Sequence, residues 1–127
     1  MNYHQIEIRV RYSETDQMRV VYHGNYAQYF EVGRVEWLRN KGVSYKWMEE
    51  NGIMLPVVSL TMNYKKPARY DELLTLKTSL KNQASVKIEF DYELYNEKEE
   101  LLTTGNSNLV FVDMKTGKPT SPPQYIS

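Results

Sequence analysis

One stretch of this chain has the periodicity of a long helix, and nearly every other segment alternates with period two. Between Asn25 and Gly42, the side chains of Tyr26, Tyr29, Phe30, Gly33 and Trp37 fall within one arc about 100° wide, the width of a core-facing stripe. Val32, Val35 and Leu38 lie outside that arc, so the helix is expected to be mostly enclosed. Gly33 costs roughly 1 kcal/mol against Ala in mid-helix, and the expected compensation is close approach of another backbone. A sheet wrapped around a single helix follows.

The remaining segments supply that sheet. From Gln5 to Tyr12, Ile6, Ile8, Val10 and Tyr12 alternate with polar residues, which reads as a half-buried strand. Val58, Leu60, Met62 and Tyr64 mark a second strand, and Leu74, Leu76, Thr78 and Leu80 a third. The cleanest alternation runs from Val86 to Leu94 and predicts a central strand. A last strand spans about Leu101 to Asp113. Asn106, Ser107 and Asn108 interrupt it after Gly105, as a bulge or a polar, ligand-facing stretch would.

The connections follow from local chemistry. Asn25 is the expected N-cap of the long helix, with Gln28 three residues on in the manner of a capping box, and Gly42 ends it. Ser44 caps a short second helix through Glu50, closed by Asn51-Gly52. Asn82-Gln83 and Asn96 to Glu99 are expected hairpin connections, and Lys115 to Pro119 a further turn. The order demands a largely antiparallel sheet packed on one helix, an α+β fold in a single domain over residues 1–127, with an extended, loose tail from Thr120. Such a sheet has two bare edges; pairing one with a second copy covers it, so a homodimer or larger homo-oligomer is expected.

Composition narrows the chemistry. At 127 residues the chain can bury about two-thirds of its unfolded surface and build a core unaided. It has no cysteine, which excludes disulfides, thiolate metal sites and a cysteine nucleophile. Sixteen basic residues balance sixteen acidic ones, so no global field draws it to nucleic acid or an anionic membrane. No leader-like opening or bilayer-length apolar run is present, and a cytoplasmic protein is expected. The two histidines, His4 and His23, match no metal motif, so no metal or resident cofactor is expected.

What remains is Asp16, in a polar loop just upstream of the long helix. The free N–H groups near His23, Gly24 and Asn25 point out of that helix end, where the helix dipole favours negative charge. A carboxylate beside such donors suits acyl transfer, because the donors hold a developing oxyanion while the carboxylate attacks or activates water. The plain alternative is that Asp16 only makes an Asx turn within its loop.

The residues Tyr12, Thr15, Asp16, Val21, Tyr22, His23 and Tyr26, followed by Phe30, Glu31 and Arg34, resemble the pattern of the hot-dog-fold acyl-CoA thioesterases. The resemblance is to the branch related to 4-hydroxybenzoyl-CoA thioesterase and the bacterial thioesterase associated with the Tol-Pal system. It extends through the turn from Pro67 to Asp71 and covers nearly the whole chain. It implies a hot-dog fold, a five-stranded antiparallel sheet around one long helix, and hydrolysis of an acyl-CoA without a cofactor, coenzyme A entering as part of the substrate. It implies that Asp16 is the catalytic carboxylate, that the backbone N–H at His23 polarises the thioester carbonyl, and that Tyr22, Asn25 and Tyr26 line the site.

The His23 side chain could orient Asp16 or only support structure. Glu31 and Arg34 form an expected i,i+3 pair. Lys65, Lys66 and Arg69 are candidates for the coenzyme A phosphates, with Lys81 and Lys87 further ones. The resemblance also implies an active site between protomers of a homodimer or homotetramer. One departure stands out: Arg19 occupies a position where the family usually has glycine. A non-catalytic acyl-CoA or acyl-carrier binding module on the same fold is the alternative function, and a hydratase using His23 and Glu31 a third.

Overall fold

In the computed structural model, which describes residues 3–123, the chain folds as β1 (Tyr3–Arg9), α1 (Tyr26–Asn40), α2 (Tyr45–Glu50), β2 (Ile53–Met54), β3 (Val57–Tyr64), β4 (Leu73–Ala84), β5 (Lys87–Tyr95), β6 (Leu101–Val110) and β7 (Val112–Asp113). Five strands form one antiparallel sheet in the order β1-β4-β5-β6-β3, and β5 is its centre as its alternation predicts. The hot-dog architecture expected from the sequence is therefore present, with α1 packed on β1, β4 and β5. A small second sheet, β2 with β7, was not expected.

The helix stripe goes where its spacing sends it. Tyr26, Tyr29, Phe30, Gly33 and Trp37 are all buried. Phe30 stacks on Tyr92 of β5 with ring centroids 4.5 Å apart, and Trp37 meets Phe90 edge-on at 5.1 Å. Such pairs contribute about 0.5–1.5 kcal/mol beyond the area they bury. The helix is less enclosed than its apolar circumference suggests, since Val32 is 45% exposed. Gly33 does accommodate a close approach, but of side chains: a Cβ there would lie 2.5 Å from Thr78 Oγ1 and 2.6 Å from Leu76 Cδ2.

Several boundaries move for identifiable reasons. β1 stops at Arg9, and Tyr12, expected on its buried face, begins a 3-10 turn and is 70% exposed. A register shift between Leu80 and Asn82 lets β4 run on to Ala84, so the hairpin turns at Ser85 and Val86 rather than at Asn82-Gln83, with Ser85 taking φ 57°. β6 crosses Asn106 to Asn108 without a bulge. Alternation explains it: Asn106 points outward to Glu89 and Asp91, Asn108 to Ser59, and Ser107 points inward to the Tyr92 hydroxyl at 2.6 Å. Ser44 caps α2 as expected, accepting from the Trp47 N–H. Of the tail, Thr120 donates its N–H to Phe111 and Pro123 is buried, while residues 124–127 lie outside the described residues.

The candidate active site

The strand register puts the chain's chemistry at one end of the sheet. Arg9 pairs with Leu73, Thr75 with Tyr95, and Tyr64 with Thr103, so the Asp16 loop and the Lys65 to Asp71 connection leave the sheet at the same end. Lys81 and Lys87 sit toward the other end. Lys87 is eight residues along β5 from Tyr95, roughly 26 Å at strand rise. They lie toward the end of the sheet opposite the Asp16 loop, and Lys81 faces Glu89 at 3.8 Å.

The Asp16 loop is a tight excursion whose two limbs pair. Tyr22 donates its N–H to the Glu14 carbonyl, Thr15 bridges Val21, and Asp16 donates its N–H to the Val20 carbonyl at 2.9 Å. Arg19 closes the turn by donating to the Asp16 carbonyl at 3.0 Å. It does so at φ 63°, the left-handed region where glycine is free and an L side chain costs about 1–2 kcal/mol. The position where glycine gives way to arginine therefore does require that conformation. The second limb is anchored from outside by Tyr70, which donates to the Arg19 carbonyl, and by Val21, which donates to Ala68.

Asp16 makes the Asx turn: its Oδ1 accepts the Met18 N–H at 2.8 Å. That contact uses one carboxylate oxygen. Among the described residues the other, Oδ2, takes no hydrogen bond, so the plain and the chemical readings of this residue coexist.

The helix entry differs from expectation. His23 to Asn25 form a 3-10 turn running straight into α1, Asn25 has helical angles, and its side chain caps nothing. The reason is a better acceptor nearby: Asn25 Nδ2 donates to the Glu14 carbonyl at 2.8 Å. The capping box with Gln28 is correspondingly absent. Tyr22 and Asn25 donate their N–H groups to Glu14 and Tyr22, while among the described residues those of His23 and Gly24 have no acceptor. These two free donors lie just beyond the paired limbs that carry Asp16.

Around them the other expected residues sort by what holds them. The His23 imidazole lies against the Tyr22 ring at 4.3 Å and makes no hydrogen bond to Asp16, so orienting that carboxylate is not its role here. Tyr26 is buried; its hydroxyl accepts the Ala68 N–H at 3.2 Å, and burial pushes its pKa above the usual phenol value, keeping it neutral. Val21, His23, Tyr26, Tyr64, Lys65, Lys66 and Pro67 line a cleft of about 270 Å³. Tyr64 was not singled out in the sequence. Its ring meets Tyr26 at 5.3 Å and its hydroxyl donates to the His23 carbonyl at 3.3 Å.

A neighbouring recess of about 250 Å³ holds Lys66 and Arg69 together with Lys98. Lys66 is committed to Glu100 at 2.7 Å, a bond that holds the Glu100 carboxyl below its usual range. Arg34 is buried and donates to the Tyr45 hydroxyl at 3.2 Å; Glu31 is 4.0 Å from it, a structural pairing. Asp16, Tyr22 and Asn25 line neither recess.

Comparison with known proteins shows the family of the fold. The model of the thioesterase-like superfamily matches residues 10–127. YneP of Bacillus subtilis, a proposed acyl-CoA thioesterase, is 40% identical over 89% of this chain and 82% of its own length. YbgC of Escherichia coli O157:H7, an acyl-CoA thioester hydrolase, is 30% identical over 94% of this chain and 89% of its own. Among solved structures, a DHNA-CoA thioesterase from Staphylococcus aureus superposes with a TM-score of 0.91 at 44% identity, over 95% of this chain and 81% of that one.

Proposed function

The chain belongs to the thioesterase-like superfamily, and from that premise we propose that Asp16 and the amino end of α1 hydrolyse the thioester of an acyl-CoA to the free acid and coenzyme A. The protein is a thioester hydrolase of the acyl-CoA class. The observation that carries the assignment of residues is that a carboxylate with one uncommitted oxygen sits on a two-limbed loop that leads directly into two uncommitted backbone donors.

In this reading the thioester carbonyl oxygen lies on the His23 N–H. Negative charge develops on that oxygen as the carbonyl carbon becomes tetrahedral, and a fixed donor there is worth about 10²–10³ in rate. Asp16 either attacks the carbon, forming an anhydride that water then opens, or takes a proton from the attacking water. Both routes release the thiol and the acid, and neither uses a cofactor. The branch related to 4-hydroxybenzoyl-CoA thioesterase and the Tol-Pal-associated enzyme is the reading within the superfamily, supported by the motif from Tyr12 to Arg34 and the likeness to YbgC. A cytoplasmic location belongs to the same reading, and no helix among the described residues is long and apolar enough to cross a membrane.

The acyl group is aromatic in this proposal. The cleft beside His23 is small against the roughly 300–1,000 Å³ of typical ligand sites, and two tyrosine rings and a proline wall it. The similarity to a DHNA-CoA thioesterase supports the same choice. Lys65 at its rim, and Arg69 in the next recess, are the cations placed to meet phosphate, Lys66 being held by Glu100. Free-thiol assays on benzoyl-CoA, a naphthoyl-CoA, butyryl-CoA and palmitoyl-CoA test it. An aromatic substrate is expected to exceed palmitoyl-CoA in kcat/KM by about tenfold or more, about 1.4 kcal/mol of transition-state binding; the reverse order would remove the aromatic assignment. Saturable binding without thiol release would leave only a binding module.

A homodimer completes the proposal. The β1 edge carries Gln5, Glu7 and Arg9, but β3 exposes Val57, Val58, Leu60 and Tyr64 along an unpaired edge. A long apolar edge of that kind calls for a partner strand, and a second copy of β3 provides it. Light scattering should give twice the 15.0 kDa chain mass or a multiple of that; a monomer at micromolar concentration would contradict it.

A further inference from the structure

The Asp16 loop has a second carboxylate, Glu14, which the chemistry above does not use. It is only 8% exposed, and a buried carboxylate is costly unless its oxygens are satisfied. Here they are: Oε1 accepts the Arg11 N–H at 2.8 Å and the Tyr29 O–H at 2.9 Å, and Oε2 accepts Arg11 Nε at 3.2 Å with Arg11 Nη2 at 3.1 Å. The Glu14 carbonyl accepts both the Tyr22 N–H at 2.9 Å and Asn25 Nδ2 at 2.8 Å.

Every one of these bonds lands on an element that carries the site. Arg11 is the exit from β1, Tyr22 precedes the His23 donor, and Asn25 and Tyr29 stand at and one turn beyond the helix entry. Asp16 is two residues along the chain. Resting on the reading of Asp16 given above, we infer that Glu14 and Tyr29 are positioning residues, a buried carboxylate–phenol bond that sets the distance between the Asp16 carboxylate and the free N–H groups at the start of α1.

Among the described residues, Tyr29 supplies the only side-chain donor from the body of α1 to this carboxylate. Burial, reinforced by the hydrogen bond to Glu14, pushes the Tyr29 pKa well above the usual phenol value, so the hydroxyl keeps its proton and donates throughout the working pH range. Tyr29→Phe removes that one oxygen and leaves the ring in the core. The Arg11 bonds and both bonds to the Glu14 carbonyl survive, so the carboxylate remains paired while its tether to the helix is cut. Glu14→Gln keeps an acceptor for Tyr29 but turns an amide N–H₂ toward the Arg11 guanidinium, and Glu14→Ala loses every side-chain bond.

The test measures kcat, KM and thermal midpoint for Tyr29→Phe, Glu14→Gln and Glu14→Ala beside Asp16→Asn, on whichever acyl-CoA the wild type turns over best. Misplacement of a reacting group by about 1 Å can cost on the order of 10²-fold in rate. A looser tether should lower kcat about tenfold in Tyr29→Phe while KM stays within about twofold, because binding precedes alignment. Glu14→Gln should retain more kcat than Glu14→Ala. Full kcat in Tyr29→Phe, or a loss confined to KM or to thermal midpoint, would overturn the inference, and Tyr29→Phe decides it even if Glu14→Ala fails to fold. Should Asp16→Asn itself keep full turnover, the Asp16 reading has failed; an inactive Asp16→Asn beside a fully active Tyr29→Phe defeats the positioning role alone.

Discussion

Asp16→Asn should lower kcat by at least about 10²-fold, and by as much as about 10⁴-fold, with the fold intact. The range follows from the task removed: a positioned general base contributes about 10²–10⁴, and a nucleophile no less. The amide keeps the carboxylate's shape. Its oxygen can still accept the Met18 N–H, and the backbone bonds to Val20 and Arg19 do not involve the side chain, so the loop's Asx turn and its closure survive. Circular dichroism and thermal unfolding should therefore match wild type within a few tenths of a kcal/mol, as for an exposed side chain whose turn contact is retained. KM should change little, since the acyl group and coenzyme A are held elsewhere.

Gly105→Ala is expected to destabilise the protein by about 2–3 kcal/mol, the upper part of the usual cost of overpacking a core. Gly105 lies in β6 directly beneath the helix. A Cβ there would collide with Phe30 Cε2 and sit 2.9 Å from Phe30 Cζ. The ring cannot easily retreat: Phe30 is fully buried, stacked on Tyr92 with 7° between the planes, and Tyr92 is itself hydrogen-bonded to Ser107. The new methyl must then push α1 away from the sheet. Thermal unfolding should fall by roughly 8–12 °C for a domain of this size. Phe30→Leu, which removes the crowding atoms, should restore part of the loss when combined with Gly105→Ala. Additive costs in the double variant would show that the two residues are not in conflict.

How far the sequence could be read depended on whether a feature was local. Period-two alternation at Ile6, Ile8 and Val10 and from Val86 to Leu94 depends only on which face is wet, and it located β1 and β5 within a few residues. The stripe from Tyr26 to Trp37 and the Ser44 cap are likewise local, and both are present. Asn25 has the sequence signature of a cap, but its amide serves an acceptor eleven residues away, the Glu14 carbonyl, in preference to the helix end beside it. Asn82-Gln83 favour a turn on local chemistry, yet a bulge in β4, which depends on its pairing with β5, carries the strand past them.

The candidate site divides the same way. Asp16 stood out through the residue pattern around it, and the strain at Arg19 could be posed as a question from one unexpected residue. Glu14 could not be found, because a glutamate in a polar loop gives no sign that tertiary contacts will bury it. Tyr64 was hidden for a related reason. In β3 it reads as one more alternating apolar residue, and only the register with β6 brings its hydroxyl to the His23 carbonyl.

Single-turnover thiol release, with enzyme in excess over an aromatic acyl-CoA, bears most directly on the claim that the Asp16 carboxylate performs the hydrolysis at the amino end of α1. It follows the chemical step free of product release. Wild type should release one equivalent of thiol and one of acid in a single rapid phase, and Asp16→Asn should release thiol at least about 10²-fold more slowly from a substrate it still binds. Equal rates in the two proteins would place the chemistry on some other group.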